Sequence, residues 1–522
     1  MGGRIRRVVM PEATTARPPV AWRVLGGIAF VKLALHLSTN LFAGYGIFRD
    51  ELYYLACARH LAAGYVDHPP LSIWVLSLTR AVLGESVFAI RLLPAIFGAA
   101  TVLVIGLLAR EMGGGRFAQG LAAAAATVSL IVIGYDVIYS MNALDLLLAA
   151  LAVYSLVRLI DSGEPRWWVA LGLTLGLGLL NKVGMLWIAL GVFVAVVLTP
   201  ERRWLATRWP WIGGAVAWFL FLPYILWNAT HDWAHLEFIR GATGGKYSGL
   251  DAWGFLSGQF EINNPVTLPV WLGGLVYLFT PAGKRYRALG IVFATAAVVL
   301  LVNGHSKSEY LASAYAGVFA AGGVAWELWL EPAARRWMRI ALGGLIALGL
   351  VLVPVVLPIL PVDTYIRYAR ALGIQPSTAE GKELAELGQF YADMFGWEEK
   401  AAAVAEVYHA LPFEERQVAA IFAENYGRAG AIDYFGPRYG LPPAIGSHNT
   451  YWLWGPGETT GEVVIHLGGS DEGPSSAFES YERAGVARCD YCMPYEKDIP
   501  IWVARGIKQP IEKVWPRIGH YE

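Results

Sequence analysis

Charge-poor apolar runs of about twenty residues recur through the first 360 residues, separated by shorter polar intervals. Runs of that length cross a bilayer as helices, because each residue adds about 1.5 Å and a helix satisfies its own backbone in lipid. The pattern predicts about eleven spans, at roughly 22–42, 88–109, 118–134, 142–160, 167–180, 183–198, 211–227, 265–281, 288–303, 310–329 and 338–359. Lysine and arginine then set the orientation. Arg4, Arg6, Arg7 and Arg17 precede the first run. Alternate loops carry Arg110 and Arg116; Arg158 and Arg166; Arg202, Arg203 and Arg208; Lys284, Arg285 and Arg287; and Arg335, Arg336 and Arg339. The positive-inside rule makes those ends cytoplasmic, as is the N-terminus, and an odd number of spans puts the C-terminal portion outside. The first run is too long, and lacks the small-residue cleavage site, to be a removed signal peptide.

Two breaks in the pattern stand out. The interval 43–87 is long for a loop between spans. Within it Leu52, Leu55, Ala56 and Leu61 fall near helical spacing after Asp50, which predicts a short helix lying on the membrane surface. Leu71–Leu83 is too short to span, and counting it as a span would invert every later loop. It predicts a second interfacial or partly inserted helix. After Pro361 the apolar runs give way to mixed, polar sequence. Helical patterns near 378–392 and 398–410 precede β-rich runs at 418–423, 463–467 and 501–504, which predicts a small α/β domain. The fold class is therefore a polytopic α-helical membrane domain over 1–360, followed by an extracytoplasmic α/β domain over 361–522. No internal repeat is visible, and Gly172 with Gly176 predicts a close helix contact.

Composition agrees. Of 522 residues 56% are hydrophobic and 16% charged, where soluble domains carry about 25% charge. The net charge is zero, so no basic surface is available to neutralise nucleic-acid phosphates.

The chemistry gathers on the side opposite the basic loops. Asp50 and Glu51 follow the first span directly. Sequence neighbours do not face each other on a helix, so they cannot act as a facing carboxylate pair and must take different roles. Asp50 could instead cap the surface helix, with Glu51 favourable to its dipole. Asp145 lies a few residues into the fourth span, where an acid is costly unless it faces a polar cavity or an ion-pair partner. Lys182 and Lys307 sit in short outer turns as anion ligands, or else as lysines snorkelling to headgroups. Arg240 and Lys246 are weaker candidates of the same kind. His231 and His235 stand four apart beside Asp232, a metal spacing if that segment is helical. Asp50, Glu51 and Asp145 are weak candidates for a divalent cation. His68-Pro69-Pro70 fixes a rigid turn, and His68 is a candidate site residue. Cys489 and Cys492, in the extracytoplasmic portion, predict a structural disulfide.

Together Phe48-Arg-Asp-Glu-Leu-Tyr-Tyr54, Asp67-His-Pro-Pro-Leu71, Ser140-Met-Asn-Ala-Leu-Asp145 and Leu179-Leu-Asn-Lys182 resemble glycosyltransferases of the C-type fold that use polyprenyl-phosphate sugars. Protein O-mannosyltransferases and bacterial aminoarabinose transferases acting on lipid A are of this kind. Asn425-Tyr-Gly427 and the stretch 434–454, with Ser447-His-Asn449, resemble one bacterial branch. The resemblance implies a membrane enzyme of the bacterial inner membrane that moves a sugar from a lipid carrier to a hydroxyl on a lipid, glycan or protein, with inversion. It implies Asp50 as base, Glu51 and Asp145 as ligands of acceptor, sugar or cation, and Lys182, Lys307 and Tyr310 at the donor phosphate. A polyprenyl-sugar flippase is the alternative, and it would show repeat symmetry and a midplane polar site.

Overall fold

The computed structural model describes residues 17–246, 250–378, 380–470 and 474–522; Arg4, Arg6 and Arg7 lie outside them. Among the described residues, seven helices are long and apolar enough to cross a membrane: Trp22–Phe42, Val87–Glu111, Met141–Ser162, Trp209–Thr230, Lys284–Asn303, Ser308–Trp329 and Ala333–Val355. Phe42, Val302 and Ile340 on them are each at least 80% exposed. Such large apolar side chains turned outward mark lipid as their solvent. This is a multi-pass membrane protein.

The other four expected spans form helices that are shorter or interrupted. The run 118–134 divides at Ser129, whose extended backbone (ψ 122°) separates Arg116–Val128 from Leu130–Tyr135. Arg166–Asn181 has 16 residues. Met185–Leu198 turns by 98° into Pro200–Ala206, where Pro200 cannot continue the helix ladder. Pro265–Phe279 is apolar but short. The glycine pair does bring helices together. A Cβ on Gly172 would stand 2.1 Å from the Gly213 carbonyl oxygen, so Arg166–Asn181 and Trp209–Thr230 meet backbone to backbone.

In the interval 43–87 both short helices form, as Arg49–Arg59 and Leu71–Leu83. Leu71–Leu83 leaves Trp74, Leu78, Val82 and Leu83 exposed, the one-sided apolar face of an interfacial helix. Arg49–Arg59 differs from the expectation. Its Leu52, Leu55 and Ala56 are buried in a core shared with the C-terminal domain, chiefly against the Tyr426–Phe435 helix. Leu61 lies past the helix end and is exposed. The apolar stripe thus serves as a docking face for protein rather than for lipid headgroups.

Among the described residues that C-terminal domain has five strands: β1 (Ala419–Ala423), β2 (Ala444–Gly446), β3 (Val463–Leu467), β4 (Phe478–Ala487) and β5 (Ile499–Ile507). Their order is β2-β1-β3-β5-β4. β1 pairs in parallel with β2 and β3, and β5 runs antiparallel to β3 and β4. The three apolar runs became β1, β3 and β5. The three-residue β2 and the largely polar edge strand β4 gave no such signal. The expected helix at 378–392 shrinks to Gln389–Ala392, because Thr378 ties the preceding loop by bonding Gln389 Oε1 and the Glu380 amide.

Cys489 and Cys492 are free thiols rather than the expected disulfide. The Cys492 amide donates to Cys489 Sγ at 3.2 Å, and the Cys492 thiol turns to the Cys489 carbonyl. The Cys492 side chain, then Lys400 and the Cys492 amide, bring the Cys489 thiol down to about 7 against the opposing effect of burial.

Candidate active site

The Arg49–Arg59 helix opens after Phe48, whose extended backbone makes it the N-cap. Asp50 therefore stands in the first turn and is not the cap. Its Oδ1 accepts a hydrogen bond from the Tyr426 hydroxyl at 3.0 Å and another from Arg49 Nε at 3.3 Å. The side chain remains 38% exposed. Arg49 is held by the acids around it, Glu380 at 2.9 Å and Asp393 at 3.5 Å, and its Nη1 donates to the Tyr495 hydroxyl at 3.0 Å.

Asp50 opens onto a cavity of about 1550 Å³, counting its mouth. Asp145, Lys182, Lys307 and Tyr310 line the same cavity, so these residues singled out in the sequence converge. Asp145 is buried in the first turns of Met141–Ser162 and accepts a short hydrogen bond from the Ser313 hydroxyl. Lys182 follows the end of Arg166–Asn181. Its Nζ donates to Asn142 Oδ1 at 2.7 Å and lies 3.9 Å from Asp145 Oδ2. The Tyr135 and Tyr310 rings flank that ammonium at 5.5 and 5.9 Å. Lys307 enters from the turn before the Ser308–Ala314 helix.

Two expected site residues stand behind the wall. Glu51 is fully buried. It takes Arg91 Nε at 2.8 Å and Nη2 at 2.6 Å, together with the amides of Phe48 and Tyr139. Four charge-assisted bonds fill the carboxylate, and it pins the loop to the helical domain. His68 is buried too. Its Nδ1 lies 3.0 Å from the Pro69 carbonyl, and its ring stacks on Tyr54 at 4.7 Å.

The cavity also holds residues that the sequence placed in the resemblance motifs without giving them a role: Arg49, Tyr53, Asp67, Tyr426 and Asn449 among them. Asp67 accepts the Tyr53 hydroxyl at 2.8 Å, and Tyr53 also meets Thr450 Oγ1 of the C-terminal domain at 2.6 Å. Burial, then the charges of Asp67 and Asp50, keep the Tyr54 phenol well above its usual range. Asp67 was readable as an acid beside the rigid Pro-Pro turn. Tyr426 and Asn449 lie more than 350 positions away, and spacing could not have brought them here.

The metal candidates separate. Glu51 is filled by Arg91 and two amides, Asp145 meets Ser313 and Lys182, and among the described residues the two acids do not group with Asp50 around one point. Asp232 and Trp233 take left-handed backbone (φ 53° and 56°), which breaks the helix between His231 and His235. His231 then turns to the Trp227 carbonyl and His235 to that of Val66. Of this group only His235 lines the cavity; Arg240 does not, and the Lys246 side chain lies outside the described residues. At the cavity rim His448, His520 and Glu522 bring one ligand atom each within 4.8 Å of one another.

With this geometry the similarities to known proteins can be placed. Residues 67–227 match the dolichyl-phosphate-mannose-protein mannosyltransferase family. Over 93% of its length the chain superposes on 98% of the crystal structure of ArnT from Cupriavidus metallidurans bound to undecaprenyl phosphate, with TM-score 0.58 and 13% identity. The fold is the C-type glycosyltransferase fold. Within it, the chain is 25% identical over 311 residues to the lipid A galacturonosyltransferase RgtD of Rhizobium johnstonii, spanning 58% of this chain and 64% of that one. It is 30% identical over 150 residues to the undecaprenyl phosphate-alpha-4-amino-4-deoxy-L-arabinose arabinosyl transferase of Pseudomonas aeruginosa, 28% of this chain and 27% of the relative. The sequence matches to these relatives thus cover less than two thirds of their lengths.

Proposed function

We propose that this protein transfers a sugar from a polyprenyl-phosphate carrier to an acceptor hydroxyl at the extracytoplasmic face of the bacterial inner membrane. The observation that carries this reading is the convergence of Asp50 with Lys182 and Lys307 in one cavity at the ends of membrane helices. The relatives named above, a lipid A galacturonosyltransferase and an arabinosyl transferase that uses an undecaprenyl-phosphate sugar, support the donor class.

The acceptor oxygen attacks the anomeric carbon as the bond from that carbon to the phosphate oxygen breaks. The electron pair leaves with the phosphate, and the acceptor proton passes to Asp50. One carboxylate suffices as base, because a phosphate leaving group needs charge stabilisation more than protonation. Lys182 and Lys307 supply that charge, with Tyr310 beside them. Asp145 holds Lys182 in place and accepts from Ser313, while Asp67 faces the sugar or acceptor. Single displacement inverts the anomeric centre. An apolar groove between Arg166–Asn181, Met185–Leu198 and Trp209–Thr230, lined by Leu171, Leu175 and Leu179, suits the prenyl tail. A flippase would keep its polar residues at the midplane. Here Asp145 lies near its helix's start and Lys182 just past its helix's end.

The test uses purified protein and undecaprenyl-phosphate donors radiolabelled in the sugar: aminoarabinose, galacturonic acid and mannose. The wild-type protein should release label from at least one carrier into acceptor or water. Retention of label on every carrier, with lipid A, glycan and peptide acceptors all present, would contradict the reading.

A further inference from the structure

The motif Asn425-Tyr-Gly427 has no part in the chemistry above, yet it lies where the C-terminal domain meets Asp50. Asn425 caps the Tyr426–Phe435 helix by accepting the Arg428 amide at 2.9 Å. Its Nδ2 donates to Glu496 at 2.9 Å. Glu496 in turn is buried and paired with Arg428 at 3.0 Å and Lys400 at 3.5 Å. The start of this helix is therefore fixed from its own domain.

Its approach to the Arg49–Arg59 helix depends on two glycines. A Cβ on Gly427 would stand 2.7 Å from Arg49 Cγ, and one on Gly430 2.9 Å from the Leu52 carbonyl carbon. Because both positions lack a side chain, the helices close until Tyr426 is buried beside Asp50. The Tyr426 ring packs on Tyr53 at 4.8 Å and lies 5.6 Å from the Arg49 guanidinium. That packing leaves its hydroxyl little choice of direction, and it donates to Asp50 Oδ1 at 3.0 Å. Arg49 Nε falls on the same oxygen. Among the described residues no hydrogen bond falls on Asp50 Oδ2.

We infer that Tyr426 is a positioning residue: it clamps Asp50 through Oδ1 so that Oδ2 faces the acceptor hydroxyl. The C-terminal domain is then part of the catalytic apparatus, supplying the group that orients the base. This rests on the proposed function, with Asp50 as the base. A carboxylate free to rotate would spend much of its time out of reach of the acceptor proton, and orientation of that kind is reflected in kcat. Arg49 alone cannot fix the rotation, because Glu380, Asp393 and Tyr495 share its guanidinium.

Tyr426→Phe removes the hydroxyl and keeps the ring that packs on Tyr53. Assayed with the labelled donor that wild type uses, it should lose roughly ten- to a hundred-fold in kcat, the effect of one bond to a charged group. Donor KM should stay within about two-fold and the melting temperature should not move, as expected when an interaction acts only in the transition state. Asp50→Glu carries its carboxylate one methylene beyond the clamp, so adding Tyr426→Phe to it should cost less than about three-fold. A Tyr426→Phe enzyme with kcat within two-fold of wild type would overturn the inference. So would a loss that tracks a lower melting temperature or a raised KM. If Asp50→Asn is as active as wild type, the base assignment fails and takes the inference with it. If Asp50→Asn is inactive while Tyr426→Phe is normal, only the inference fails.

Discussion

Asp50 and Glu51 are neighbours with opposite fates, and side-chain surroundings decide which. Asp50 keeps a carboxylate oxygen open to the cavity. Glu51 places both oxygens on Arg91 and two backbone amides. Removing one partner of such a buried pair strands the other charge, at a cost of about 3–5 kcal/mol. Glu51→Ala should therefore lower the denaturation midpoint in detergent sharply, with activity lost only in proportion to folded protein. A stable but inactive Glu51→Ala would return Glu51 to the chemistry. Lys307→Ala belongs to the same scale. Losing one charge at the donor phosphate should raise donor KM roughly ten-fold or more while kcat changes less; an unchanged KM would place the phosphate elsewhere. The sequence showed that Asp50, Asp145, Lys182 and Lys307 were unusual, because charge near a bilayer is costly. It could not show which of two adjacent acids meets an arginine forty positions later. Nor did it show the buried Lys32–Asp136 pair at 2.8 Å, which joins the Trp22–Phe42 helix to the residue just past Leu130–Tyr135.

At the scale of elements, the apolar stripe of Arg49–Arg59 was legible but its partner was not. A helical period records that a face is covered, and lipid and protein leave the same pattern. The loop before Gln389 was misread as helix for a related reason, since its period was real but side-chain bonds to the backbone competed for it. Asp393, at the junction of that loop and the Arg49–Arg59 helix, gives this region a pH dependence. Burial raises its carboxyl from 3.8 to about 7 against the pull of Arg49. Between about pH 4 and pH 7 the folded chain keeps a proton that the unfolded chain has released, so this group's contribution to stability falls as pH rises through that window. Asp393→Asn should flatten the fall, as read from melting temperatures across the range. A mutant that follows wild type at every pH would remove Asp393 as its source.

At the scale of the whole molecule, the division into a membrane part and a C-terminal α/β part was visible as a change of composition after Pro361. Their interdependence was not, because the contacts that join them are among the longest in sequence. Glu380, Tyr426 and Asn449 line the cavity from the C-terminal side, and Thr450 reaches Tyr53. A chain ending at residue 360 should insert in membranes yet transfer no sugar, and transfer by that fragment at a wild-type rate would show the cavity complete without its C-terminal side. The account turns on Asp50 acting as base within that shared cavity. Its most direct test is the single-turnover rate of label transfer from a polyprenyl-phosphate donor by Asp50→Asn, purified and shown to melt at the wild-type temperature. The account predicts a rate lower by about 10²- to 10⁴-fold, the usual contribution of a general base, with donor binding retained; a folded Asp50→Asn that transfers as fast as wild type would contradict it.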